Sequence, residues 1–212
     1  MRVALLIVLV LLVGCGNAKS GAKKKSGKEK APVTIREFDS TRDALAALTI
    51  AYSENQARDV REIEPWFAKN KETALSELGG LATSDDTPLD QRLIACRALA
   101  RLGTDSIPVL MELTGHKTDQ LRYRAAESLG MISPSNERHV DALIELLQGD
   151  DSRLKGYAVR ALSSAGPIAK RAVPDLVAIL NDRTQNEALR NDAKTALVKI
   201  DPRRGLMNVK DE

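Results

Sequence analysis

Aromatic side chains are scarce in this chain: one Trp, three Tyr and two Phe among 212 residues. That scarcity argues against a groove for nucleic acid, where stacking platforms line a basic channel. There are two histidines, His116 and His139, and neither fits a metal-ligand spacing such as H-E-x-x-H. Both fall in expected connections between helices and read as solvated bystanders, so no metal and no other cofactor is expected. Ser163-Ser164 lacks a G-x-S-x-G context and a paired His, and no Gly-rich phosphate loop occurs. The Asp85-Asp86 and Asp150-Asp151 pairs stand before expected helices, where N-capping accounts for acidic residues. No acid/base or nucleophile cluster converges, so the chain reads as a non-enzyme.

Long apolar runs are absent except at the start. Val3 to Val13 is one, flanked by Arg2 and ending in Leu12-Val13-Gly14-Cys15. It is shorter than the ~20 residues a spanning helix needs, and its charged, apolar and small-residue parts follow the build of a secretory signal peptide. The ending resembles the lipobox of bacterial lipoproteins. That resemblance implies a signal peptide over 1–14, cleavage before Cys15, and diacylglycerol on the Cys15 thiol. An ordinary anchor or cleaved signal with an incidental Cys is the alternative. Gly16 stands where Asp would signal inner-membrane retention in many bacteria, so the expected location is the cell envelope with neither membrane specified. Two or three acyl chains anchor stably, whereas one gives only marginal binding. With Cys15 lipidated, Cys96 has no disulfide partner and reads as a small buried thiol.

Residues 15–34 hold six Lys, one Glu and no large apolar side chain before Val33. Such a segment cannot offset its ordering entropy by burial and reads as a disordered tether, with a reach of roughly 25 Å. Its lysines serve either as a solvated spacer or as contacts to anionic headgroups, at about 1 kcal/mol per charge. Setting these residues aside reverses the charge. The whole chain is +3, but Thr34 onward has 25 Lys/Arg against 28 Asp/Glu. A nucleic-acid-binding domain carries its basic charge on the fold itself, so no nucleic-acid partner is expected.

The remainder carries an internal repeat. Four segments share a basic residue followed by Ala, a small residue and Leu at helical spacing. They contain Arg92, Ala95, Ala98 and Leu99; Arg122, Ala125, Ser128 and Leu129; Lys155, Ala158, Ala161 and Leu162; and Arg190, Ala193, Ala196 and Leu197. A second helix follows each of the first three, with Ile107, Leu110 and Leu113 aligning with Val140, Leu143 and Leu146 and then with Val173, Leu176 and Ile179. Pro108 and Pro174 suit a first helical turn. The same register reaches back to Leu75, Leu78 and Leu81, predicting a helix over 71–83, and another is expected over 41–55. Residues 35–84 therefore read as an irregular helical N-terminal cap with a degenerate repeat, blurred by Pro65. Residues 85–202 read as the repeats and 203–212 as a tail. The fold class is all-α, an α-solenoid of helix pairs.

The phrases LRYRAAESLG, LRNDAKTALVKIDP and AVPDLVAIL resemble short bacterial HEAT repeats, the kind shared with phycobilisome-lyase HEAT-like proteins. An ankyrin-like phrase, Thr87-Pro88-Leu89-Asp90, occurs once, and the tetratricopeptide pattern is missing. The family includes bilin lyases and base-excision glycosylases. The resemblance thus leaves an accessory or catalytic role in modifying a partner protein as the alternative to binding, with small-ligand binding as a third.

The row Arg92, Arg122, Lys155 and Arg190 reads as structural pairing with neighbouring turns rather than as a binding ladder. By fold analogy the protein-binding surface is expected on the second helices, at Val109, Glu112, Ala142, Glu145, Asp175 and Ala178. The sequence thus points to a monomeric, lipid-anchored scaffold or adaptor whose partner is another protein.

Overall fold

A computed structural model of the protein describes residues 35–132 and 137–202. Their regular structure is entirely helical: α1 (Thr41–Ser53), α2 (Ala57–Lys69), α3 (Lys71–Thr83), α4 (Leu89–Arg101), α5 (Ile107–Thr114), α6 (Asp119–Met131), α7 (Glu137–Gln148), α8 (Ser152–Ala165), α9 (Val173–Asn181) and α10 (Glu187–Ile200), with 3₁₀ segments over Gly103–Ser106 and Gly166–Ala172. The helices alternate between two layers. α4, α6, α8 and α10 stack on one another, and α5, α7 and α9 each pack against the first-layer helix that follows.

The repeated small residues explain this stacking. Ala95, Ala125, Ala158 and Ala193 are fully buried, and Leu99, Leu129, Leu162 and Leu197 are at most 1 % exposed. Alanine combines the best helix propensity with close approach, and the leucines fill the space between layers. The aligned triads of α5, α7 and α9 are buried as well. Pro108 and Pro174 stand in the first turns of α5 and α9, where the missing N–H has no intrahelical partner to lose.

The N-terminal cap is more regular than its sequence suggests. α1, α2 and α3 are each 13 residues long, and Pro65 lies inside α2 rather than ending it. Burial of Ile63, Trp66 and Phe67 on one face of α2 offsets the backbone hydrogen bond that Pro65 removes. Trp66 meets Phe38 and Phe67 edge to face, with centroids 5.9 and 5.5 Å away. Within α3 only Leu78 of the predicted triad is fully buried. Leu75 and Leu81 are half-buried, while Ala74 and Ala82 take closed positions.

α10 ends the described array, packed on α8 and α9 and capped by Asn186, whose side chain accepts the Leu189 N–H at 2.8 Å. Asn191 and Lys199 are exposed, which suits a terminal repeat. The tail at 203–212 lies outside the described residues. Deleting it should leave the protein soluble and monomeric, with a stability change below about 0.5 kcal/mol by urea denaturation and sedimentation. Aggregation or a larger loss would put Leu206, Met207 and Val209 into the core.

Candidate functional site

The basic row occupies the edge where loops enter α4, α6, α8 and α10. Arg92 is 5 % exposed. Its Nε donates to Ala82 O at 3.0 Å, Nη1 to Asp85 Oδ1 at 2.8 Å and Nη2 to Thr83 O at 3.5 Å. Arg92 thereby occupies carbonyls left open in the last turn of α3. Asp85 reaches onward to Lys117 of the next repeat at 3.2 Å. Lys117 and Arg92 together hold its carboxyl below the usual value. Arg122 donates to His116 O at 3.1 Å, pairs with Asp119 at 2.7 Å and lies 4.0 Å from Asp151 of the following repeat. Lys155 faces Asp182, whose pKa drops to about 2, chiefly through hydrogen bonds from Thr184 and Gln185. Arg190 is half-buried on α10. At Arg92 and Arg122 this edge therefore ties successive turns together, whereas the Arg190 Nε is buried without a hydrogen-bond partner.

Asp151 does cap a helix, accepting the Arg153 and Leu154 N–H groups at 2.8 and 3.2 Å. Asp85 does not; it is an ion-pair partner instead. The histidines also depart from the expectation of exposed loop residues. His139 lies inside α7 and is 1 % exposed, and its Nε2–H donates to Leu129 O at 2.7 Å. It stands one repeat from Ser106 and Ala172, both fully buried, so the repeat register carried a signal for its burial. His116 is in a loop, but its Nδ1 accepts the Thr118 N–H at 3.0 Å and its Nε2 lies 3.0 Å from Arg92 Nη2. Burial, then the Arg92 charge, pushes its pKa down.

The six positions predicted on the second helices are not equivalent. Glu112, Glu145 and Ala178 are exposed, and Val109 and Asp175 are half-buried. Ala142 is only 8 % exposed and belongs to the core, which corrects its assignment as an outward contact. Val109 packs beside Gly79, its Cγ2 3.5 Å from where a β-carbon would stand. Glu112 and Glu145 line a groove between α5 and α7 with Met111, Leu146 and Leu154 below. Asp175 and Ala178 line the next groove.

The opposite layer carries a surface that inward-facing periodicity does not reveal. α4, α6, α8 and α10 hold eleven Arg/Lys against five Asp/Glu, whereas α3, α5, α7 and α9 hold two against seven. On this first-layer face Arg153 lies over the Tyr123 ring at 4.3 Å and Arg160 over Tyr157 at 4.9 Å. At the cap, Arg97 of α4 covers Tyr52 of α1 at 4.4 Å. The Tyr52 hydroxyl donates to Glu64 at 2.6 Å, and burial followed by that bond pushes its pKa up to about 12. The signal for this face was the coincidence of Tyr with Arg on outward positions of successive repeats.

Cys96 is fully buried and its thiol is pushed up to about 12 by desolvation, so it is protonated at neutral pH. Among the described residues no group of three or more His, Cys, Asp or Glu is placed to hold a metal, and no helix is long and apolar enough to cross a membrane. Cys15 lies outside the described residues.

Residues 75–163, from α3 into α8, match the HEAT repeats family. No curated protein matches the chain. Among solved structures, the complex of CpcE and CpcF of phycocyanin lyase from Nostoc sp. PCC7120 is similar, at 17 % identity and a TM-score of 0.51. The match covers 73 % of this chain and 98 % of that one. Two engineered proteins match at 20 % identity with a TM-score of 0.48, covering 82 % of this chain and 85 % of theirs, and at 22 % with 0.45, covering 77 % and 81 %. At 17 % identity the likeness to the CpcE–CpcF structure speaks to the fold alone, and that fold agrees with the stacked helix pairs and their buried Ala–Leu register. The described residues form an all-α solenoid of HEAT-like helix pairs, of which residues 75–163 match the HEAT repeats family.

Proposed function

We propose that this protein is a membrane-tethered scaffold that binds another protein in the bacterial cell envelope without chemistry of its own. The observation that carries the binding role is the array itself. Helices stacked in register offer similar surface positions once per repeat, and such extended faces suit protein recognition. The side chains best suited to chemistry are already engaged: Cys96 is buried as a thiol, His139 is tied to Leu129 O, and His116 lies against Arg92. The tether rests on Leu12-Val13-Gly14-Cys15 closing the apolar run.

Two measurements test this. Cys15→Ser should accumulate as an unprocessed, non-acylated precursor when cells are labelled with palmitate; a processed and acylated mutant would end the lipoprotein reading. Crosslinking of the full-length protein in native envelopes should give a discrete heterologous adduct. Self-adducts alone would end the binding role.

A further inference from the structure

The three tyrosines of the chain are all covered by arginine, and two of those arginines make no ion pair among the described residues. Arg153 lies on Tyr123 and Arg97 on Tyr52; neither has a carboxylate within salt-bridge distance, and the Arg97 Nε is buried without a hydrogen-bond partner. The carboxylates around them are already matched. Asp119 pairs with Arg122 at 2.7 Å, Glu127 with Arg124 at 2.6 Å, Asp192 with Arg160 at 3.4 Å and Glu64 with Arg101 at 3.1 Å. Arg97 and Arg153 thus stand among carboxylates that already have partners, each without one of its own.

An open groove runs across the same face, lined by Leu93 of α4, Asp119, Tyr123, Arg124 and Glu127 of α6, and Arg153 and Tyr157 of α8; its two carboxylates are those already matched by Arg122 and Arg124. Gly156 stands one repeat from Tyr123 and two from Leu93, and the Arg160 guanidinium lies 3.4 Å from where its β-carbon would be. Stacking on a ring holds each guanidinium fork in place, so less freedom is lost when it takes a carboxylate. Tyr and Arg are also the residue types that dominate binding energy at protein interfaces.

We propose that this first-layer face, running from Arg97 to the groove beside Arg153, docks an acidic segment of a partner protein, whose carboxylates pair with those two guanidiniums. This rests on the protein-binding role above and adds the face and the partner's chemistry. A protein segment fits better than a polyanion. Asp119, Glu127 and Asp192 are interspersed among the arginines, so a uniformly charged nucleic acid or anionic bilayer would meet like charge at each of them, whereas a segment with spaced carboxylates can place them at Arg97 and Arg153 alone.

The test uses the folded full-length protein and a labelled glutamate-rich peptide with interspersed leucines, followed by fluorescence anisotropy. Peptide binding should weaken with salt. It should fall by about tenfold or more in the Arg97→Gln/Arg153→Gln double variant and stay unchanged in Arg138→Gln on α7. Because neither arginine of the pair makes an ion pair, the double variant should lose only the two ring contacts and remain folded, with an unchanged far-UV circular dichroism spectrum at the assay temperature. A wild-type protein that fails to bind the peptide, or a double variant that binds it equally well, overturns the proposal. So does tighter binding to phosphatidylglycerol vesicles or to a DNA duplex than to the peptide. The envelope adduct separates the two readings: an adduct that persists undiminished in the double variant overturns this face and leaves the binding role standing.

Discussion

Truncating Leu129 to Ala should lower stability by about 2–5 kcal/mol, whereas Lys24→Ala should leave the denaturation midpoint where it is. Leu129 has no exposed surface and occupies the recurring Leu position in the middle of the array. α6, its helix, packs against α4, α5 and α8, so the lost side chain leaves a cavity bounded by neighbours on both sides. These helices also pack through fully buried alanines such as Ala125 and Ala158, which cannot swing in to fill the space. The His139–Leu129 hydrogen bond uses the Leu129 carbonyl and survives the truncation, so the loss reports packing alone. Lys24 lies outside the described residues, in the stretch read from composition as a tether. Urea denaturation of the two variants decides the matter; equal midpoints would remove the physical basis of the repeat alignment.

The register of the solenoid was legible because burial is periodic and the repeated residues face inward. Arg92, Leu99, Leu129 and Leu162 each answer to a position the sequence repeats, and the second-helix triads follow at a constant offset. What was less legible faces outward or depends on helix rotation. Ala142 reads as an outward position by alignment with Val109 and Asp175, yet it is buried because an 8 % exposed Ala needs little space to close over. His139 reads as a loop residue because the apolar pattern of its helix starts at Val140; α7 begins three residues earlier, at Glu137. Pro65 obscures α2, whose strong apolar face keeps it helical. The Tyr–Arg face left no periodic trace, since Tyr123 and Tyr157 occupy different register positions; Tyr157 meets Arg160 within α8, but Tyr123 meets Arg153 only once α6 and α8 are stacked.

Arg92→Ala should cost about 2–3 kcal/mol at pH 7, far more than Lys155→Ala at the equivalent position. The difference follows from what each side chain satisfies. Arg92 is buried and serves two carbonyls of α3 as well as Asp85; losing hydrogen bonds from a charged donor costs about 1.5–3 kcal/mol, and orphaned acceptors add to it. Lys155 is half-buried and faces Asp182 only through charge, a solvent-screened contact that contributes little to stability. The penalty for Arg92→Ala should shrink as the pH falls. The folded-state pKa of Asp85 is depressed, so its pairing contributes fully above about 3.9 and is lost as pH drops through the folded value. His116 is also depressed, by burial and then by Arg92. Below about 6.5 the unfolded chain takes up this proton more readily than the folded one, and stability falls. Without Arg92 both depressions ease, so the variant should lose less on acidification than the wild type does. Urea midpoints at neutral pH and near pH 3 measure the gap, and a gap that stays constant or widens toward acid would show that Arg92 acts through its bonds to the α3 carbonyls and its packing rather than through Asp85 and His116.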